Sequence, residues 1–117
     1  MMLENELYEV IAEDANSVSV RLLPESAIYK AHFPGNPITP GVCQVAMVAE
    51  QVERRSGRRL QLKEAKNLKF LGLLRPDLAT PVVISFESWE YSCKYLTVKC
   101  LLKVGEKTYT KFTLTFE

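Results

Sequence analysis

One stretch of this chain repeats its apolar residues at a helical period, and it is entered from a loop with little conformational freedom. In GVCQVAMVAEQVERRS, residues 41–56, Val42, Val45, Ala46, Ala49 and Val52 recur at i, i+3, i+4, i+7 and i+10, which is one face of an α-helix. Gly57 supplies a C-terminal stop. Cys43, Met47 and Val48 lie off that stripe, so the first two turns are apolar nearly all round. That pattern predicts a buried helix with only its distal end, Glu50, Gln51, Glu53, Arg54 and Arg55, in solvent.

The flanking segments alternate instead. Leu7 to Glu13 and Ser17 to Leu23, separated by Asp14, Ala15 and Asn16, predict two antiparallel strands joined by a tight turn. Ala27 to His32 is short enough for a connector, extended or helical. Beyond the helix, Glu64 to Phe70, Pro81 to Trp89, Tyr95 to Val104 and Lys107 to Phe116 read as strands, with Gly105 and Glu106 turning the last pair. Leu96, Val98, Cys100, Leu102 and Val104 share one face of their strand, while Thr97, Lys99 and Lys103 mark the other. With 117 residues there is room for one core, so the expected architecture is α+β: residues 1–117 as a single domain with an antiparallel sheet around one long helix.

Composition narrows the function classes. Fifteen basic residues against fourteen acidic give a net charge of +1, so no global field draws in nucleic acid or an anionic bilayer. The local run Arg54, Arg55, Arg58 and Arg59 is either a solvated helix end, favoured by the helix dipole, or a docking patch for an acidic partner. Cys43, Cys93 and Cys100 are odd in number and lack CxxC spacing, which reads as small core residues of a reducing compartment, without disulfide or metal. The acidic N-terminus is unlike a secretory signal, and no apolar run nears the ~18 residues that span a membrane, so the expected location is cytoplasmic. No P-loop or dinucleotide glycine pattern calls for a cofactor. Trp89, Tyr91 and Tyr95 have no basic surround and read as an aromatic packing cluster.

The loop before the helix, HFPGNPITPGVCQ at residues 32–44, holds the single histidine of the chain. Pro34, Pro37 and Pro40 fix φ at three points, and Gly35 and Gly41 permit paths closed to other residues. Such a loop holds an imidazole in one orientation. It also delivers Gly41 and Val42 to a helix start, where unpaired N–H groups and the positive dipole end can bind a developing oxyanion. Cys43 beside His32 reads as a core residue, with thiolate activation at the helix start as the alternative.

HFPGNPITPGV resembles the HFPG-x-P-x-x-PGV signature of the 3-hydroxyacyl-[acyl-carrier-protein] dehydratases of fatty-acid synthesis, and LKFLGLLRP, residues 68–76, is similar to that family's strand leading to a proline. The resemblance implies the hot-dog fold, a sheet wrapped around one long helix, and a dimer with acyl chains in a tunnel along its interface. It implies that His32 takes, or relays, a proton from C2 of a 3-hydroxyacyl thioester. It assigns the backbone amides of Gly41 and Val42 to the thioester carbonyl, and Phe33 and Val42 to the tunnel wall. The family's acid stands six residues after the proline of PGV, and here that position is Ala46. Glu50, one turn further on, is the candidate substitute acid, with a solvated or dimer-interface charge as its plainer role; Gln44 can only hydrogen-bond or position a water.

Three functions are compatible with that departure: a dehydratase or hydratase of fatty-acid or related lipid or polyene synthesis, completed by a related acid-bearing hot-dog subunit in a heterodimer; an acyl thioesterase; or a non-catalytic acyl-binding or structural subunit. The thioester would be carried on acyl-carrier protein or coenzyme A, with no metal or cofactor. A homodimer and a heterodimer both stay open.

Overall fold

The computed structural model describes residues 2–31, 35–76 and 79–117. A hairpin, β1 (Tyr8–Glu13) and β2 (Ser17–Leu22), is followed by a short helix α1 (Ala27–Ala31) and the long helix α2 (Gly41–Ser56). Four strands then run to the end: β3 (Leu62–Phe70), β4 (Val82–Ser92), β5 (Tyr95–Val104) and β6 (Lys107–Phe116). They form one six-stranded sheet in the order β1-β2-β4-β5-β6-β3, antiparallel at every pairing. The expected strands are all present. β3 starts two residues earlier than the alternation implied, and β4 runs three residues past Trp89.

Bulges between Phe86 and Ser88, Leu102 and Lys103, and Lys66 and Lys69 interrupt the ladders. Each adds local twist, which curls the sheet around α2. On the inner face, Val18, Val20, Ile84, Val98, Leu102, Phe112 and Leu114 join Met47, Val48 and Val52 of α2 in a single buried cluster. The inner face of β5 is the one expected, Leu96, Val98, Cys100 and Leu102. α2 ends where Gly57 enters the left-handed region at φ 68° and its N–H donates to the Arg54 carbonyl oxygen at 3.3 Å.

The orientation of α2 departs from the expected one. Its buried residues are Gln44, Met47, Val48, Gln51 and Val52, whereas Val42 is 77% exposed and Val45, Ala46 and Ala49 are half-buried. The helix is therefore turned about a third of a revolution from the small-residue stripe. The larger side chains Met47 and Val48 bury more apolar area, and the glutamines can follow them inward because both find partners. Gln51, expected in solvent, is 1% exposed and donates to Tyr8 Oη at 2.8 Å and to Glu4 Oε1 at 3.1 Å.

The cysteines also divide. Cys100 is buried, its thiol pushed up by desolvation, and Cys43 is half-buried. Cys93 is exposed at φ 55° in the β4–β5 turn, so it is not a core residue. The aromatic cluster resolves into separate contacts. Trp89 meets Phe86 edge-on at 5.5 Å, while Tyr91 and Tyr95 are exposed. No helix among the described residues is long and apolar enough to cross a membrane.

Candidate active site

The site is built on the start of α2. Pro40 stands at the N-cap with φ −60° and ψ 145°, and it offers no side chain to cap the helix. Its carbonyl oxygen accepts from Cys43 N and Gln44 N, each at 3.0 Å. The N–H groups of Gly41 and Val42 have no acceptor among the described residues. They are the orphan donors of a helix N-terminus, held where the dipole is positive.

Beside them lies a groove of about 420 Å³ lined by Ile38, Thr39, Pro40, Gly41, Gln44, Phe70 and Leu73, among others. Its described lining residues are mostly apolar and include no carboxylate. The Phe70 ring covers Gly41 so closely that a Cβ there would stand 2.7 Å from Phe70 Cζ and displace the ring. β3 and β6 set the ring in place: Phe70 pairs with Thr110, and Leu71 N donates to the Tyr109 carbonyl oxygen at 2.7 Å.

Behind the groove is a polar network absent from the sequence-based expectations. Gln44, 3% exposed, donates from Nε2 to the Thr39 carbonyl oxygen at 3.0 Å and accepts at Oε1 from Thr110 Oγ1 at 2.6 Å. Thr39 Oγ1 in turn shares a 2.8 Å hydrogen bond with Tyr29 Oη, and Thr39 N donates to the Leu74 carbonyl oxygen at 2.7 Å. Asn36 accepts from Arg75. Burial pushes the Tyr29 phenol up to about 12, so it stays protonated. The loop entering α2 is thus tied to α1, β6 and the segment after β3. Thr110 could have been noticed as the one polar member of an inward stripe that continues through Phe112, Leu114 and Phe116.

The expected site residues meet different fates. Gly41 lines the groove, and Val42, next to it in the first turn of α2, has its side chain in solvent. His32 and Phe33 lie outside the described residues. Ala46 leaves the acid position without a carboxylate. Glu50 is neither solvated nor free at the surface. Its Oε2 accepts from Leu3 N at 2.6 Å, and its Oε1 from Glu4 N at 3.1 Å and Tyr8 Oη at 2.9 Å. That carboxylate anchors the N-terminal segment to the helix. Cys43, also in the first turn, has its thiol pushed up by burial, which opposes thiolate chemistry.

The arginine patch is largely consumed inside the chain. Arg54 forks onto Glu13 at 2.9 and 2.7 Å. Arg55 donates to the carbonyl oxygens of Asp14, Ala15 and Ser17 and lies 5.1 Å over the Phe86 ring. Arg58 sits over Tyr91 at 5.7 Å. Arg54 and Arg55 hold the helix end to the β1–β2 hairpin, Arg54 from an exposed position and Arg55 largely covered.

A family model described as ApeI-like, ApeI dehydratase, matches residues 9–108. The chain belongs to that family. It is 32% identical over 95 residues to the 3-hydroxyacyl-[acyl-carrier-protein] dehydratase FabZ of Levilactobacillus brevis, an alignment covering 75% of this chain and 63% of the relative. To the FabZ of Lactiplantibacillus plantarum it is 28% identical over 97 residues, covering 77% and 65%. The chain therefore spans just under two thirds of the length of these curated relatives. Among solved structures, the dehydratase heterocomplex ApeI:P from Xenorhabdus doucetiae superposes with a TM-score of 0.66 at 18% identity, covering 91% of both chains. A Q49A mutant of thioesterase PA1618 from Pseudomonas aeruginosa gives 0.65 at 17% identity, covering 93% of this chain and 78% of that one. The ApeI-like chain thus has the hot-dog fold, an antiparallel sheet about one long helix. Its family and its fold agree with the signature at residues 32–42.

Proposed function

We propose that this ApeI-like protein is a 3-hydroxyacyl thioester dehydratase subunit that supplies a base and an oxyanion site and takes its acid from a related subunit. The observation that carries the reading is the uncapped start of α2, where the Gly41 and Val42 N–H groups have no acceptor among the described residues, next to an apolar groove of about 420 Å³ whose described lining residues include no carboxylate. An acyl thioester fits that combination. Its chain occupies the apolar walls, and its carbonyl oxygen accepts from the two amides, which stabilise the negative charge that develops there.

His32 removes the proton at C2. The electron pair of that C–H bond forms the C2–C3 double bond, and the C3–O bond breaks. The departing hydroxyl takes a proton from a carboxylic acid and leaves as water. This chain has Ala46 where the family places the acid, and Glu50 is committed to Leu3, Glu4 and Tyr8. General acid–base assistance is typically worth 10²–10⁴-fold, so the chain alone is expected to be slower than the completed pair by about that factor. Exposed apolar side chains at the helix start and along β3, Val42, Leu68, Phe70, Leu71 and Leu73, support a dimer that covers this side of the molecule.

The test is hydration of a trans-2-enoyl thioester, the reverse reaction, by the purified chain alone and mixed with an acid-bearing FabZ-type relative whose own active-site histidine is replaced by alanine, so that it is inactive by itself. Activity that rises on mixing and disappears with His32→Ala supports the proposal. Equal activity with His32→Ala, or release of free thiol in place of hydration, overturns it.

A further inference from the structure

The groove at the start of α2 carries in its wall a buried amide that the base and the oxyanion site do not use. Gln44 lines it together with Ile38, Pro40, Gly41, Phe70 and Leu73, and only 3% of its surface is exposed. The Thr39 carbonyl decides how this amide is turned. A carbonyl oxygen can only accept, so the atom 3.0 Å from it is Nε2, and Oε1 is left to accept from Thr110 Oγ1 at 2.6 Å. A primary amide has two N–H groups, and among the described residues only Thr39 accepts from Nε2. The second N–H is therefore bare inside a wall that is mostly apolar, an unfavourable state that an acceptor on a ligand relieves.

Helix geometry places that donor. Side chains lean toward the N-terminus of their helix, and residues three apart share a face. Gln44 stands three residues after Gly41, and its amide reaches back to Thr39, the residue before the N-cap Pro40. Nε2 is thus level with the first turn, where the Gly41 N–H has no acceptor among the described residues. A thioester carbonyl oxygen held by that amide brings C1 to the same place, and only two carbon–carbon bonds separate C1 from C3. In a 3-hydroxyacyl thioester C3 bears an oxygen, which is an acceptor within reach of a second donor in the same turn.

We infer that Gln44 donates its second Nε2–H to the oxygen on C3 and holds it for the acid of the related subunit. The inference rests on the reading of the protein as a dehydratase subunit. An amide does not titrate, so Gln44 moves no proton. The acid supplies the proton, the C3–O bond breaks, and the water formed stays on Gln44 until it leaves; in reverse, Gln44 holds the water that attacks C3. The test is steady-state hydration of trans-2-octenoyl-pantetheine by the chain mixed with the FabZ-type relative whose histidine is replaced. This substrate has no oxygen on C3, so its binding does not use Gln44, whereas the attack of water does. Gln44→Met keeps the length of the side chain and removes the donor. It should lower kcat several-fold, up to about ten-fold for one neutral hydrogen bond, with KM within about two-fold of the wild type. Thr110→Val loosens the same network but leaves the donor and its tie to Thr39, so kcat per folded molecule should stay within about two-fold. If Gln44→Met misfolds by circular dichroism, Gln44→Asn, which draws the donor back by one methylene, replaces it with the same expectation. An unchanged kcat, a change confined to KM, or an equal kcat loss in Thr110→Val overturns the inference and leaves the dehydratase reading standing. A wild-type mixture without hydration refutes that reading, and the role of Gln44 falls with it.

Discussion

Thr110→Val tests whether the buried network behind the groove is what holds the loop entering α2. Valine matches threonine in shape, so the substitution removes the hydroxyl that donates to Gln44 Oε1 at 2.6 Å and little else. Thr110 is 0% and Gln44 3% exposed, so water cannot take over as donor. An amide oxygen left buried without a partner costs about 1–3 kcal/mol. At roughly 4 °C per kcal/mol for a chain of this size, the melting temperature should fall by about 4–12 °C. Gln44→Leu removes the other side of the bond and also the donor to the Thr39 carbonyl oxygen, and should cost at least as much. The double variant discriminates. With both partners of the Thr110–Gln44 bond gone, only the Thr39 carbonyl is left bare, so the combined loss should fall short of the sum by about 1–2 kcal/mol. Urea unfolding followed by circular dichroism measures all four proteins. Additivity within about 0.3 kcal/mol, or a Thr110→Val protein as stable as the wild type, would refute the reasoning.

Gly41→Ala places a Cβ 2.7 Å from Phe70 Cζ, the tip of a half-exposed ring free to swing aside, so the loss of stability should stay below about 1 kcal/mol; a larger loss that Phe70→Leu rescues would mean that the ring is held rigidly. Glu50→Gln should lower stability by about 1–3 kcal/mol through its contacts with Leu3, Glu4 and Tyr8, while hydration activity per folded molecule in the mixed-subunit assay stays within two- to three-fold, about the usual context scatter; a hundred-fold loss with stability intact would instead make it the substitute acid. The Arg54 guanidinium holds the Glu13 carboxyl below its ordinary 4.5. Because the folded-state value is the lower one, the contribution is complete above that pH and is lost as pH falls through the folded value. Arg54→Ala should therefore flatten the loss of stability below about pH 4.5, and an acid-unfolding curve with unchanged slope would contradict the pairing.

Much of this molecule is legible in its local patterns. Period-two alternation locates the strands, because residues of a half-buried sheet face must alternate wherever they pair. Gly57 and Gly105 mark a helix end and a turn because the backbone there has positive φ. The PGV stretch announces a helix start with bare amides, since a proline at the cap supplies no side-chain acceptor. The face of α2 was not legible. Two apolar stripes compete on its surface, and the larger one, Met47 and Val48, turns inward together with two glutamines whose partners are remote in sequence.

The same limit governs the charged residues. Arg54, Arg55 and Glu50 look like solvated groups when read along the chain, because nothing within a few residues opposes their charge. The fold brings Glu13, the hairpin carbonyls and the N-terminal amides to them across some forty residues. Lys69, Lys99 and Lys111 have the opposite history, being far apart in sequence and placed side by side by strand register. Periodicity, turns, caps and the signature loop are local properties, so the order of residues alone determines them. Which groups pair, which stay bare and which charges crowd together depends on register and helix rotation, and those follow from the packing of the whole core.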